Sequence, residues 1–135
     1  MDNPLYNKAL DFAERILDMS EFLLDKRKKA SYYPQPEIQT IPSYALKTCV
    51  EQATRSGTSI AANIAESLGV QSKADLTAKL SISYKEGRET AMWLELMRRK
   101  KYIDEKAFDS MNENLSEILK LLTASLNTLK NARKT

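Results

Sequence analysis

The sequence predicts an all-α chain folded as an antiparallel up-down four-helix bundle, and three observations predict it. Apolar residues recur at steps of three and four through four separate segments, the period of an amphipathic helix. Glycine and proline are scarce, three and four in 135 residues, and three of the prolines fall together between positions 34 and 42. Runs of Val, Ile and Thr that would form strands are absent. A chain of this length builds one core and not comfortably two, so residues 1–135 are read as a single domain. Helices of about 25 residues, ~40 Å long, would lie side by side joined mostly by short turns.

Helix one is expected from Pro4 to Lys29. Pro4 sits in its first turn, where the missing N–H is not needed, and Leu5, Ala9, Phe12, Ile16, Met19 and Leu23 form its stripe. The stretch from Ala30 to Ser43 carries Tyr32, Tyr33, Pro34, Pro36 and Pro42; it cannot continue the helix and makes the longest connection. Helix two is expected from Ser43, its N-cap, to Leu68, with Gly69 ending it in the left-handed conformation. Ser72 and Asp75 open helix three as a capping box, and it continues through Leu76, Leu80, Tyr84, Gly87, Ala91, Leu94 and Arg98. Helix four starts near Asp104 and has the most regular stripe, Phe108, Met111, Leu115, Ile118, Leu122, Leu126 and Leu129.

The second half of helix two, RSGTSIAANIAESLG, is unlike an ordinary core helix. Ala53, Gly57, Ile60, Ile64 and Leu68 form one stripe of it, and Ser56, Ser59, Asn63 and Ser67 form a polar stripe beside it. An interior glycine costs roughly 1 kcal/mol relative to alanine, so Gly57 marks a place where a neighbour leaves no room for a Cβ. Counted from the turn between helices two and three, Gly57 and Gly87 fall within ~5 Å of the same height, and the two helices are expected to touch there. Ser59 and Asn63 are then expected to be buried, with Asn63 bonded to a backbone or hydroxyl group of helix three. Arg55 and Glu66 would form salt links within or between subunits, or touch a ligand.

The residue inventory excludes most chemistry. There is no histidine and one cysteine, Cys49, which rules out an intrachain disulfide, the usual zinc ligand sets and a histidine base. A bundle di-metal site needs Glu-x-x-His, which is missing. Ser56 and Ser59 have no activating base nearby in sequence, and Glu86 and Glu89 read as solvated or paired with Lys85 or Arg88. The chain is therefore expected to be no enzyme and to hold no metal or cofactor. No run approaches the roughly 18 apolar residues of a membrane span, and the first residues carry acids where a signal peptide needs an apolar core. The expected location is the cytoplasm, without a membrane partner.

A net charge of +3 and a pI near 8.9 tolerate nucleic acid without requiring it. The distribution is more informative. Lys26, Arg27, Lys28 and Lys29 close helix one and Arg98, Arg99, Lys100 and Lys101 close helix three, so an up-down bundle would bring both blocks to one pole. They form a candidate phosphate-contact surface, with Tyr32, Tyr33 and Tyr102 placed to stack on unpaired bases. The other reading is complementation of helix dipoles, and Glu37, Asp104 and Glu105 dilute the field. Lys130, Arg133 and Lys134 are the next basic candidates. Helix three also carries Met92, Trp93, Leu96 and Met97, with Trp93, Leu96 and Met97 on a second apolar face that is expected to be a contact between subunits.

The two motifs RSGTSIAANIAESLG and SKADLTAKLSISYKEGRETAMWLELMRRKKYID together resemble the small four-helix-bundle proteins encoded in intervening sequences of bacterial 23S ribosomal RNA genes, a family related to accessory variability determinant proteins of diversity-generating retroelements. Arg55, Ser59, Ile60, Ala62, Asn63, Ile64, Ala65 and Glu66 match the first part of its pattern; Ser72, Lys73, Asp75, Leu76, Leu80, Ser81, Glu89, Tyr102 and Ile103 match the rest. Ala61 stands where proline is frequent, Ser67 where glycine stands, and Lys101 where glycine commonly precedes the tyrosine. The resemblance implies a ring-shaped homo-oligomer of five subunits that binds nucleic acid on a basic channel or surface and, in the retroelement members, a reverse transcriptase. It implies no enzymatic activity. The expected function is a non-catalytic accessory module for RNA or single-stranded DNA; the alternative is a protein assembly scaffold that binds nucleic acid incidentally.

Overall fold

Each helix begins where a short polar side chain takes over an orphan N–H. A computed structural model of the chain describes residues 2–25 and 43–133, with helices α1 (Pro4–Leu24), α2 (Tyr44–Ser67), α3 (Lys73–Arg99) and α4 (Glu105–Arg133), and no strand among the described residues. Asn3, Ser43, Ser72 and Asp104 accept the amides of Tyr6, Leu46, Asp75 and Ala107 at 2.9, 3.1, 3.1 and 2.7 Å.

Two helix ends differ from expectation. The first helix stops at Leu24, short of Lys29: Asp25 takes an extended conformation (φ −89°, ψ 103°) while its N–H still reaches the Glu21 carbonyl at 2.8 Å. An aspartate is a poor helix residue, and its charge is unfavourable at the negative end of the helix dipole. Lys26, Arg27, Lys28 and Lys29, with Tyr32 and Tyr33, lie outside the described residues. The second helix does not end on a left-handed Gly69, because no glycine has positive φ among the described residues. Its last turn tightens instead, with Leu68 and Gly69 donating to the Ala65 and Glu66 carbonyls at 3.2 Å each.

α1 packs on α2 and α4, and α3 packs on the same two helices. Phe12 and Ile16 of α1, Val50, Ile60 and Ile64 of α2, Leu94 and Met97 of α3, and Leu115, Ile118 and Leu122 of α4 are almost wholly buried between them. The two mid-helix glycines do not face each other. A Cβ on Gly57 would stand 3.0 Å from Cγ1 of Ile16 on α1, and one on Gly87 would stand 2.6 Å from Cδ2 of Leu119 on α4. Gly57 lies one residue, about 100° of helix, from the seam that meets α3. That seam is polar: Ser56 and Thr90 share a hydroxyl hydrogen bond of 2.8 Å, and Ser83 donates to the Ile60 carbonyl at 2.9 Å. All three hydroxyl side chains are buried.

Asn63 takes no part in the seam. Its amide donates to the Ser59 carbonyl one turn back in its own helix at 2.8 Å, and Ser59 donates to the Arg55 carbonyl at 2.6 Å. Local back-bonding satisfies both groups without a partner helix, and both are only half-buried.

Candidate nucleic-acid interface

The corner between α3 and α4 is set by hydrogen bonding. The Tyr102 N–H reaches the Met97 carbonyl at 2.9 Å and the Lys101 N–H reaches the Arg98 carbonyl at 3.0 Å, the paired bonds of a Schellman motif. Closing that motif requires a left-handed residue, and Lys101 supplies it at φ 61°, alone among the described non-glycine residues. Lys101 occupies the position where the resembled pattern has glycine. The turn leaves Lys100 and Lys101 exposed, Tyr102 half-buried and Ile103 in the core.

The four bases expected to act together divide into two pairs. Arg98 is held by Glu95 and, at 3.2 Å, by Glu105, and its guanidinium lies 5.3 Å from the centre of the Phe108 ring. Arg99 also bonds Glu95, at 3.2 Å. The hydrogen bonds from Arg98 and then Arg99 hold the Glu95 carboxyl down at about 2, and Glu95 and Glu105 in turn raise the Arg98 pKa. Lys100 and Lys101 have no carboxylate partner among the described residues; Lys100 Nζ is 6.0 Å from the Tyr102 ring centre. Burial pushes the Cys49 thiol up, and the charge of Lys100 opposes that shift, which puts α2 beside the same corner.

A cavity of about 700 Å³ lies between this corner and the end of α1, with Phe22, Leu23, Tyr102 and Met111 in its wall. Arg15, Arg98 and Lys101 face it together with Asp18, Asp104 and Glu105, so its charge balances.

Most of the other expected site residues have partners within the chain. Arg55 pairs with Glu86 at 3.2 Å and with Glu89, tying α2 to α3, so the partner of these glutamates is Arg55 and not Lys85 or Arg88. Those carboxylates raise its pKa, the Glu89 hydrogen bond most. Trp93 donates to Glu89 at 3.1 Å, and Glu66 pairs with Lys79 at 2.7 Å. Met97 is not on the second face of α3: it is 0% exposed, because the core stripe steps three residues from Leu94 rather than four. Ile82, Met92 and Leu96 are 41%, 44% and 38% exposed there, beside a half-buried Trp93. The seam residues Ser83 and Thr90 went unmarked in the sequence, although with Gly87 they form a small-residue stripe at steps of four and three. Among the described residues no cluster of His, Cys, Asp and Glu is disposed to hold a metal, and no helix is long and apolar enough to cross a membrane.

The comparisons with known proteins agree with this fold. A protein of unknown function from the S23 ribosomal protein family of Bacteroides thetaiotaomicron VPI-5482 has a crystal structure similar to this chain at a TM-score of 0.74, with 37% identity over 90% of this chain and 97% of that one. No curated protein matches. The model of the 23S rRNA-intervening sequence protein family matches residues 35–124, which take in α2, α3 and most of α4, and the chain therefore belongs to that family.

Proposed function

We propose that this chain is a non-catalytic, oligomeric nucleic-acid-binding module for RNA or single-stranded DNA, working as an accessory to ribosomal RNA or to a retroelement reverse transcriptase. One observation carries the reading: the helix corner presents Lys100 and Lys101 without a carboxylate partner beside Tyr102, while Glu95 and Glu105 absorb the neighbouring arginines. Free cations attract phosphate, and an adjacent ring offers a base a stacking surface. The contacts Lys8–Glu117 and Arg15–Asn114, and likewise Arg55–Glu86 and Glu66–Lys79, run in opposite directions along their helices, which supports an up-down bundle. The exposed Ile82, Met92 and Leu96 supply an apolar face through which copies would close into the ring of five that the family resemblance implies. That same face is the observation favouring a protein assembly scaffold.

The test is a labelled single-stranded RNA titrated with wild type and with Lys100→Gln/Lys101→Gln. Gln removes the charge and keeps a long polar side chain. Weaker binding with a log–log salt slope shallower by about 1.4, at about 0.7 per phosphate, supports the corner as a contact; unchanged affinity and slope refute it. Light scattering of a monomer at micromolar concentration would remove the ring.

A further inference from the structure

Beyond Glu117 the sequence contains no acidic residue, yet Lys120, Lys130, Arg133 and Lys134 all fall there. This half of α4 packs along the first half of α3, with Leu119 against Gly87. Two cavities of about 470 and 400 Å³ open in the seam and meet at Asn127, which lines both. Tyr84 and Arg88 of α3 and Lys120 of α4 line the first, and Lys130 lines the second. Four hydroxyl side chains and no carboxylate complete the walls. Arg88, Lys120 and Lys130 have no ion-pair partner among the described residues. The cavity at the α3–α4 corner, by contrast, has three carboxylates facing three cations. A cleft lined by one sign of charge focuses its field, so this seam attracts anions where the corner cavity, with its charges balanced, does not.

We infer that the α3–α4 seam is a groove for a single strand of RNA, with phosphates on Arg88, Lys120 and Lys130 and a base against Tyr84. The inference rests on the nucleic-acid reading above and adds a second, larger contact surface to it. From Ser116 to Lys130 the groove runs ~21 Å at 1.5 Å per residue, enough for several nucleotides. A rigid duplex would touch only the lysine tips, whereas an unpaired base can enter beside Tyr84. Hydroxyls and the Asn127 amide are suited to the 2′-hydroxyls that distinguish RNA.

Lysine footprinting tests this on the full chain. The wild-type protein is treated with acetic anhydride with and without single-stranded RNA of ~10 nucleotides, a length within the usual site size, and each lysine's acetylation rate is read by mass spectrometry. The groove predicts severalfold protection of Lys120 and Lys130, with Lys8 and Lys47 unaffected. It also predicts that Lys120→Gln/Lys130→Gln weakens binding and flattens the log–log salt slope by about 1.4, and that Tyr84→Leu weakens RNA binding while leaving binding of inorganic polyphosphate unchanged. Protection of Lys100 and Lys101 without Lys120 and Lys130 overturns the groove and leaves the corner standing. No protection of any lysine, with no measurable affinity, overturns both.

Discussion

Replacing Gly57 by alanine should destabilise the fold even though alanine is the better helix former. The new methyl would lie 3.0, 3.3 and 3.4 Å from Cγ1, Cγ2 and Cδ1 of Ile16. Ile16 is fully buried, and its β-branch holds it to essentially one rotamer in a helix, so it cannot turn away. Overpacking of this kind costs about 1–3 kcal/mol against a propensity gain of about 1 kcal/mol, leaving a net loss of roughly 0–2 kcal/mol. The mechanism makes a sharper prediction in an Ile16→Ala background. There the clash is gone and only the propensity remains, so Gly57→Ala should stabilise by about 1 kcal/mol. Urea unfolding of the four variants measures both values and their coupling. The same loss in both backgrounds would refute a clash with Ile16. Gly87 is a milder case, because its methyl would press on the far end of Leu119, which is only partly buried and can change rotamer.

The remaining predictions follow from single contacts. Thr90→Val should cost about 1 kcal/mol by removing the hydroxyl that bonds Ser56 at 2.8 Å and the Glu86 carbonyl at 2.7 Å, and Ser56→Ala with Thr90→Val together should cost less than the sum of the singles, since either single already breaks the bond the two hydroxyls share; additive losses in urea would contradict a shared bond. Lys101→Gly should raise stability by about 1 kcal/mol by relieving the left-handed backbone while keeping the Schellman bonds, and a lowered thermal midpoint would contradict that. Glu95 is held at about 2 in the folded chain against an ordinary 4.5, so on acidification the unfolded chain binds this proton first. Its contribution is thus present above about 4.5 and lost as pH falls towards 2, and Glu95→Gln should lose less stability over that window than wild type; parallel acid-unfolding curves would show that the pairing carries no stability.

Helix positions were legible where cap and stripe agreed: Ser43, Ser72 and Asp104 stand at the observed starts, and the stripe from Met111 to Leu122 is buried as its period requires. The end of α1 was not, because the apolar stripe stops at Leu23 and the charged run after it has no signal of its own. Gly57 announced a close neighbour, but which neighbour depends on its angle round the helix, and a step of one residue from Ser56 turns it from α3 to α1. The Glu95 pairs with Arg98 and Arg99 follow helix spacing and could be read directly, whereas Glu105 joins them only across the corner. The lack of acids after Glu117 is plain in the sequence, but Tyr84 and Arg88 reach the same groove only once α3 packs on α4.

The affinity of the wild-type protein for single-stranded RNA across a salt series is the most direct test of nucleic-acid binding. A strand held through at least two of these lysines should bind at low salt and lose affinity with a log–log slope of about −1.4 or steeper. No measurable binding at low salt, or an affinity indifferent to salt, would contradict it.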